Sequence, residues 1–155
     1  MPTARRGEVS IEVAAPPEVV YDLIADVTRM GEWSPECYRC EWLDGATEAA
    51  PGVRFRGHNR LGRLRWARTA VVNTAERGRE FAFATVNERA GREETRWCYA
   101  FRPSSSGTRL TESFEFQWCS VANRLAEAFL PRGRQVNRGI EETLRRIKRA
   151  AEARP

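Results

Sequence analysis

Few side chains in this chain of 155 residues have both the type and the setting for chemistry. Glu112 comes first. It alternates with Leu110, Phe114 and Phe116 in a strand-like segment running to Trp118, so it shares their apolar face. A carboxylate there is costly unless it is paired or protonated. Desolvation would raise its pKa toward neutrality, the range a general acid or base needs at physiological pH. Arg68, on one face with Trp66 in another strand, would oppose that rise if the two met. Two readings follow: a buried or half-buried ion pair that fixes the sheet, and a general acid/base in an apolar cavity. Asn59 and Tyr99 could orient a ligand carbonyl or hydroxyl.

Other chemistries lack their parts. The single histidine, His58, alternates with Arg54, Arg56 and Arg60 on a face that reads as wet, and there is no Gly-x-Ser-x-Gly elbow, so a nucleophilic triad has no frame. Of the four cysteines, Cys37 and Cys40 form a CxxC, with Cys98 and Cys119 elsewhere. Residues three apart on a strand face opposite sides, which predicts that this pair chelates poorly. No second CxxC or CxxH accompanies it, and a redox CxxC would open a helix beside a βαβ pattern that is absent here. Reduced, half-buried thiols are the expectation, with zinc or disulfide roles as the alternative. No metal and no cofactor is expected.

The elements that must position these groups are legible in the periodicity. Residues 8–14 alternate, with Val9, Ile11 and Val13 on one face. Pro16 and Pro17 end the strand, and a proline suits the first turn of a helix, as does Glu18 at the positive end of its dipole. Val20, Leu23, Ile24 and Val27 then define a buried stripe, and Trp33-Ser34-Pro35 ends the helical part. Strands are predicted over 37–43, 53–60, 64–72, 80–87, 93–102 and 108–118, separated by turn residues. Trp97, Tyr99 and Phe101 share one face.

Over the last ~35 residues the period changes from 2 to 3.6. Val121, Leu125, Phe129, Val136, Ile140, Leu144, Ile147 and Ala151 trace one stripe, with a kink or break expected at Pro131 and Gly133. Glu141 with Arg145 and Glu142 with Arg146 make i,i+4 pairs on the wet face. The whole chain reads as one domain, 1–155 with a core of about 8–152. The class is α+β: about seven antiparallel strands in a curved sheet around a long C-terminal helix, with two short helices after strand 1. One helix does not fill such a concavity, which leaves room for an apolar pocket.

Apolar residues are 41% of the chain and charged residues 30%, as in an ordinary globular protein. No apolar run approaches the ~20 residues that span a bilayer, and the Arg5-Arg6 start lacks an apolar h-region, so a cytoplasmic location is expected. The formal charge of +5 invites nucleic acid. Yet 25 of the 26 basic residues are arginine, spread along the chain among 21 acids rather than gathered into a tract, a pattern better matched to a GC-rich coding sequence.

These residues resemble a known family. Ala15-Pro-Pro-Glu-Val-Val-Tyr-Asp-Leu-Ile-Ala-Asp26 with Trp33-Ser34-Pro35 looks like the opening of the SRPBCC superfamily (START/Bet v 1-like, polyketide cyclase/dehydrase and lipid-transport proteins). Gly52-Val-Arg-Phe-Arg-Gly-His-Asn-Arg60, Trp66, Trp97-x-Tyr99, Gly107-Thr-Arg-Leu-Thr-Glu-Ser113 and Thr143-Leu-Arg-Arg-Ile-Lys-Arg-Ala-Ala-Glu152 continue it. The resemblance implies the helix-grip fold and a deep hydrophobic cavity. Its wall would draw on Trp33, Phe55, Asn59, Trp66, Arg68, Phe83, Trp97, Tyr99, Glu112, Phe114, Leu125, Phe129, Val136 and Ile140, with Trp33 and the Pro131 break flanking the mouth. Three functions fit: a carrier of a small hydrophobic molecule, a polyketide cyclase, aromatase or dehydrase, and a regulatory or toxin-like protein, as monomer or homodimer. Glu112 and Arg68 are the catalytic candidates.

Overall fold

The proline pair does what its chemistry dictates. In the computed structural model, which describes residues 5–119, 121 and 132–153, Pro16 caps the first helix in an extended conformation and Pro17 opens it. This helix, α1 (Pro17–Ala25), turns Val20, Tyr21, Leu23, Ile24 and Ala25 into the core. A short 3-10 helix, α2 (Val27–Glu32), follows at once, its first turn held by the Asp26 carboxylate accepting from Thr28 N at 3.2 Å. The two lie between β1 (Arg6–Val13) and β2 (Cys37–Trp42). The chain then runs as β3 (Arg54–Leu61), β4 (Leu64–Glu76), β5 (Glu80–Asn87), β6 (Arg92–Ser104) and β7 (Gly107–Phe116) before the C-terminal helix α3 (Arg132–Glu152).

All seven strands form one antiparallel sheet in the order β1-β7-β6-β5-β4-β3-β2. The meander from β2 to β7 is local. The non-local step is β1, which pairs with β7 across the full strand, from Arg6↔Glu115 to Val13↔Thr108. Register shifts at Cys37/Arg39, Val72/Thr74 and Thr85/Val86 break the pleat, and such bulges increase local bend and twist. The fold class read from the sequence is the one observed, and β4 and β6 extend a few residues beyond their predicted ends.

The inner face supplies most of the core. Phe55, Ala70, Val72, Phe81, Phe83, Tyr99, Phe101, Leu110 and Phe114 are all buried there. Helix α3 adds Val136, Ile140, Leu144, Ile147 and Ala151, the later part of the predicted stripe, and packs chiefly on β1 and α1, whereas Val121, the first member expected of that stripe, is exposed. Its wet face carries the expected pairs, Arg145 with Glu141 at 3.4 Å and Arg146 with Glu142 at 2.9 Å. At its far end Lys148 donates to Glu12 O at 2.8 Å while Glu152 accepts from Ala14 N at 2.9 Å, tying the helix to the end of β1. Leu125, Phe129 and the expected break at Pro131 lie outside the described residues.

At the β1–α1 junction the backbone comes very close to β7. Gly107 has φ of +139°, and a Cβ there would meet Val13 O at 2.6 Å and Ala15 N at 2.7 Å. Next to it the buried Thr108 hydroxyl donates to Ala15 O at 2.7 Å, satisfying a carbonyl that the turn into α1 leaves orphaned.

Candidate functional site

Period-2 alternation puts Glu112 on the inner face of β7, and the β6–β7 register places Tyr99 directly opposite. The Tyr99 hydroxyl donates to Glu112 Oε1 at 2.8 Å, and each residue is 4% exposed. The second carboxyl oxygen, Oε2, is buried with no hydrogen-bond partner among the described residues. Burial pushes the Glu112 carboxyl up to about 8, and the Tyr99 hydrogen bond only partly opposes this. Burial, then the neighbouring carboxyl, also holds the Tyr99 phenol well above its ordinary value. At neutral pH the site is therefore an uncharged carboxylic acid beside an intact phenol. Such a pair can donate one proton from Oε2 or take one there.

The ion pair considered for Glu112 does not form. Arg68 lies on the inner-face register of β4, but its partner is Glu94, at 3.4 Å, and its guanidinium also donates to Ala67 O at 3.1 Å. The reason is the register shift at Thr85/Val86, opposite Glu93 and Thr95, which leaves Glu94 as the extra residue of β6. Arg68 thus neutralises a different carboxylate, and Glu112 keeps its raised pKa.

Around Glu112 the inner face is a continuous aromatic band. Trp42 of β2, Phe55 of β3, Phe83 of β5, Trp97 of β6 and Phe114 of β7 follow one another across the sheet, with neighbouring ring centroids 5.0–6.5 Å apart. The rings of Phe55 and Phe83 meet over the small side chains of β4. Phe81 joins Phe83 to Tyr99, and Phe116 extends the band beyond Phe114. Asn59 and Trp66 are register partners on β3 and β4, both half-buried. Val136 and Ile140 face this band's sheet from α3 as buried residues. Trp33 is buried in the core, where it closes α2 beneath the Arg29 guanidinium, 5.2 Å from its ring centroid. His58 stands on the other face, Nε2 at 2.9 Å from Glu41 Oε1, as its alternation with arginines predicted. That outer face carries an open groove of about 910 Å³ among Arg6, Glu8, Glu80, Glu93, Arg96 and Cys98, a solvated charged surface away from the band.

Two inner-face features escaped the sequence. Asn137 of α3 has a buried Oδ1 without a partner among the described residues, close to Gly7 and the Phe114 ring. It sits beside Val136 on the helical stripe, and its type gave no sign of burial. The CxxC prediction also fails: Tyr38 is an extra residue between Cys37↔Asn59 and Arg39↔His58, so the pair faces the same side. Their sulfurs are 3.5 Å apart, and both residues are buried rather than half-buried.

With this geometry, the relatives can be compared. The family model for polyketide cyclase / dehydrase and lipid transport matches residues 4–152. The chain belongs to that family, within the SRPBCC (Bet v 1-like) superfamily. A polyketide cyclase-like protein of Corynebacterium glutamicum is 33% identical, covering 95% of this chain and 82% of that one, with a TM-score of 0.55. The Zhui aromatase/cyclase of Streptomyces sp. R1128 superposes with a TM-score of 0.75 at 18% identity, covering 96% of this chain and 93% of its own. A protein from Chromobacterium violaceum gives 0.72 at 16% identity over 97% and 99%. These last two likenesses speak for the helix-grip fold alone. None of the curated proteins matches this chain. Among the described residues of this family member, Glu112 Oε2 and Asn137 Oδ1 are the buried side-chain polar atoms that lack a hydrogen-bond partner.

Proposed function

We propose that this protein binds a small, uncharged hydrophobic molecule, lipid- or polyketide-like, between the inner face of the sheet and the C-terminal helix. The observation that carries this reading is the buried Oε2 of Glu112, without a partner among the described residues, amid the aromatic band. A buried polar atom normally has a partner, and a ligand hydroxyl or carbonyl would supply one. Phe55, Phe83, Trp97, Phe114, Val136 and Ile140 would form the apolar wall, with Asn59, Trp66 and Arg68 toward one end. The chain works as one cytoplasmic domain. Native mass spectrometry of protein purified from its own host tests this: a co-purified apolar molecule, lost in Glu112→Gln or Phe83→Ala, is the expected result. Retention of the same molecule in both variants overturns the assignment.

The pKa of about 8 favours a second reading, a cyclase or dehydrase acting on the bound molecule. Protonated Glu112 would give its Oε2 proton to a ligand carbonyl as carbon–carbon bond formation begins, or to a departing hydroxyl as water leaves, and the carboxylate so formed would take up the proton that the reacting ligand carbon loses. Tyr99 holds the carboxyl in place through Oε1. Glu112→Gln keeps the shape and removes the proton. Turnover of a poly-β-keto thioester mimic that stops while its binding persists supports the enzyme. Unchanged turnover removes Glu112 from the reaction.

A further inference from the structure

The bulge at Tyr38 creates an arrangement that the ligand reading leaves unused. Cys37 Sγ and Cys40 Sγ are 3.5 Å apart, and Met30 Sδ lies 3.7 Å from Cys40 Sγ. Cys40 Sγ thus neighbours a sulfur from β2 and another from α2. Facing them across the β2–β3 ladder is Gly57, and a Cβ built there would lie in van der Waals contact with each cysteine sulfur at 3.5 Å and, among the described residues, with no other heavy atom beyond its chain neighbours within 4 Å. Glycine thus leaves room for about one methyl group beside both sulfurs. Neither cysteine is in a disulfide.

The donor set is soft throughout. Thiolate and thioether together select copper(I), whereas zinc prefers four ligands drawn from cysteine, histidine and carboxylate. Among the described residues no three His, Cys, Asp or Glu side chains converge anywhere, so a hard or borderline dication finds no complete site here. The spacing also suits a metal. With metal–sulfur bonds of about 2.3 Å, sulfurs this far apart subtend roughly 100–107° at the ion, and spreading them to about 4 Å would give the 120° of a trigonal site. Both cysteines are buried, while Met30 is half-buried and opens the cluster toward solvent.

We propose that Cys37, Cys40 and Met30 form a three-sulfur site for a soft monovalent cation, copper(I). No electron is transferred: each thiol that binds gives up its proton to water, so affinity rises with pH. The site does not depend on what occupies the aromatic band.

The test is an anaerobic titration of the reduced full chain with copper(I) against the chromophoric chelator bicinchoninate. One equivalent per chain, with X-ray absorption showing sulfur-only ligation, is the expected result. Cys37→Ser and Cys40→Ser should each lose more than the roughly 10–100-fold that an outer partner's loss costs, and Met30→Leu, which keeps the core apolar, should lose about tenfold. Cys98→Ser should bind as the parent does. Circular dichroism of each variant separates lost binding from lost fold, and Met30→Leu remains informative if the serine variants unfold. Failure to compete with the chelator, parent-like affinity in Met30→Leu and in a folded cysteine variant, or zinc held as tightly as copper(I) would each overturn the proposal.

Discussion

Tyr99 and Glu112 are register partners on adjacent strands, joined by a 2.8 Å hydrogen bond that satisfies one carboxyl oxygen and leaves the other without a partner among the described residues. Phenol and carboxyl occupy a setting in which neither favours ionisation, for burial is the first cause of both raised pKa values. That makes protonation, rather than charge pairing, the property through which this site responds to its surroundings.

Stability should fall as the solution becomes alkaline. The folded Glu112 pKa of about 8 exceeds its ordinary 4.5, so the folded chain binds the proton more tightly than the unfolded one. This contribution is complete below the ordinary value and is lost as pH rises through about 8, at up to about 1.4 kcal/mol per pH unit. Urea denaturation at pH 5, 7 and 9 should show that decline in the parent and a flatter profile in Glu112→Gln. A parent profile as flat as the variant's would mean that the carboxyl is not desolvated.

Tyr99→Phe removes the one hydrogen bond that pulls the Glu112 pKa downward, so that pKa should rise further. Carbon-13 detected titration of the Glu112 carboxyl reads this directly. The same variant should lose stability by about 1–3 kcal/mol at neutral pH, the cost of a buried polar group left unpaired. A downward shift would contradict the direction of the bond.

Arg68→Ala should leave the Glu112 titration where it is, because the guanidinium answers Glu94. The pair is partly solvated, with the arginine side chain 38% exposed, so its loss should cost no more than about 1 kcal/mol in thermal or denaturant unfolding. A shift of the Glu112 pKa in this variant would restore the discarded pairing.

Gly107→Ala should be among the most damaging single changes. A methyl at that φ would strain the backbone and press on Val13 O and Ala15 N at the junction of β1 with α1. The expected loss is several kcal/mol, on the order of 3, seen as a lower urea midpoint. Serine or alanine at the open Gly45, which has no neighbour within 4 Å, should cost less.

How far the sequence carried these conclusions depends on which physical rule was in force. Alternation identifies one face of a strand, and it sufficed to put Glu112, Tyr99, Phe101 and Phe114 inside and His58 outside. Pairing across strands obeys a different rule, register, which turns and bulges determine. The tight turn linking Ser104↔Gly107 fixes Tyr99 opposite Glu112, and counting back from that turn would have found the partner. Arg68 was misassigned because a bulge beside Glu94 delivers a nearer carboxylate. No local pattern announces such an insertion. Asn137 was invisible for a simpler reason: an amide on a helix declares its burial only once β1 and β7 are packed beneath it.

The extra residue in β2 has a consequence of another kind. Side chains on a strand obey a parity, odd positions on one side and even positions on the other, and Tyr38 resets it between Cys37 and Cys40. The bulge thus makes a CxxC behave as a CxC: without Tyr38, Cys37 and Cys40 would stand two apart on a regular strand opposite Asn59 and Gly57, still on one face, with Trp42 opposite Phe55 as before. What Tyr38 adds is the local bend and twist of the edge strand rather than the facing of the thiols. Substituting a neighbour cannot undo that facing, whereas inserting one further residue between the cysteines in regular pairing would turn them to opposite sides.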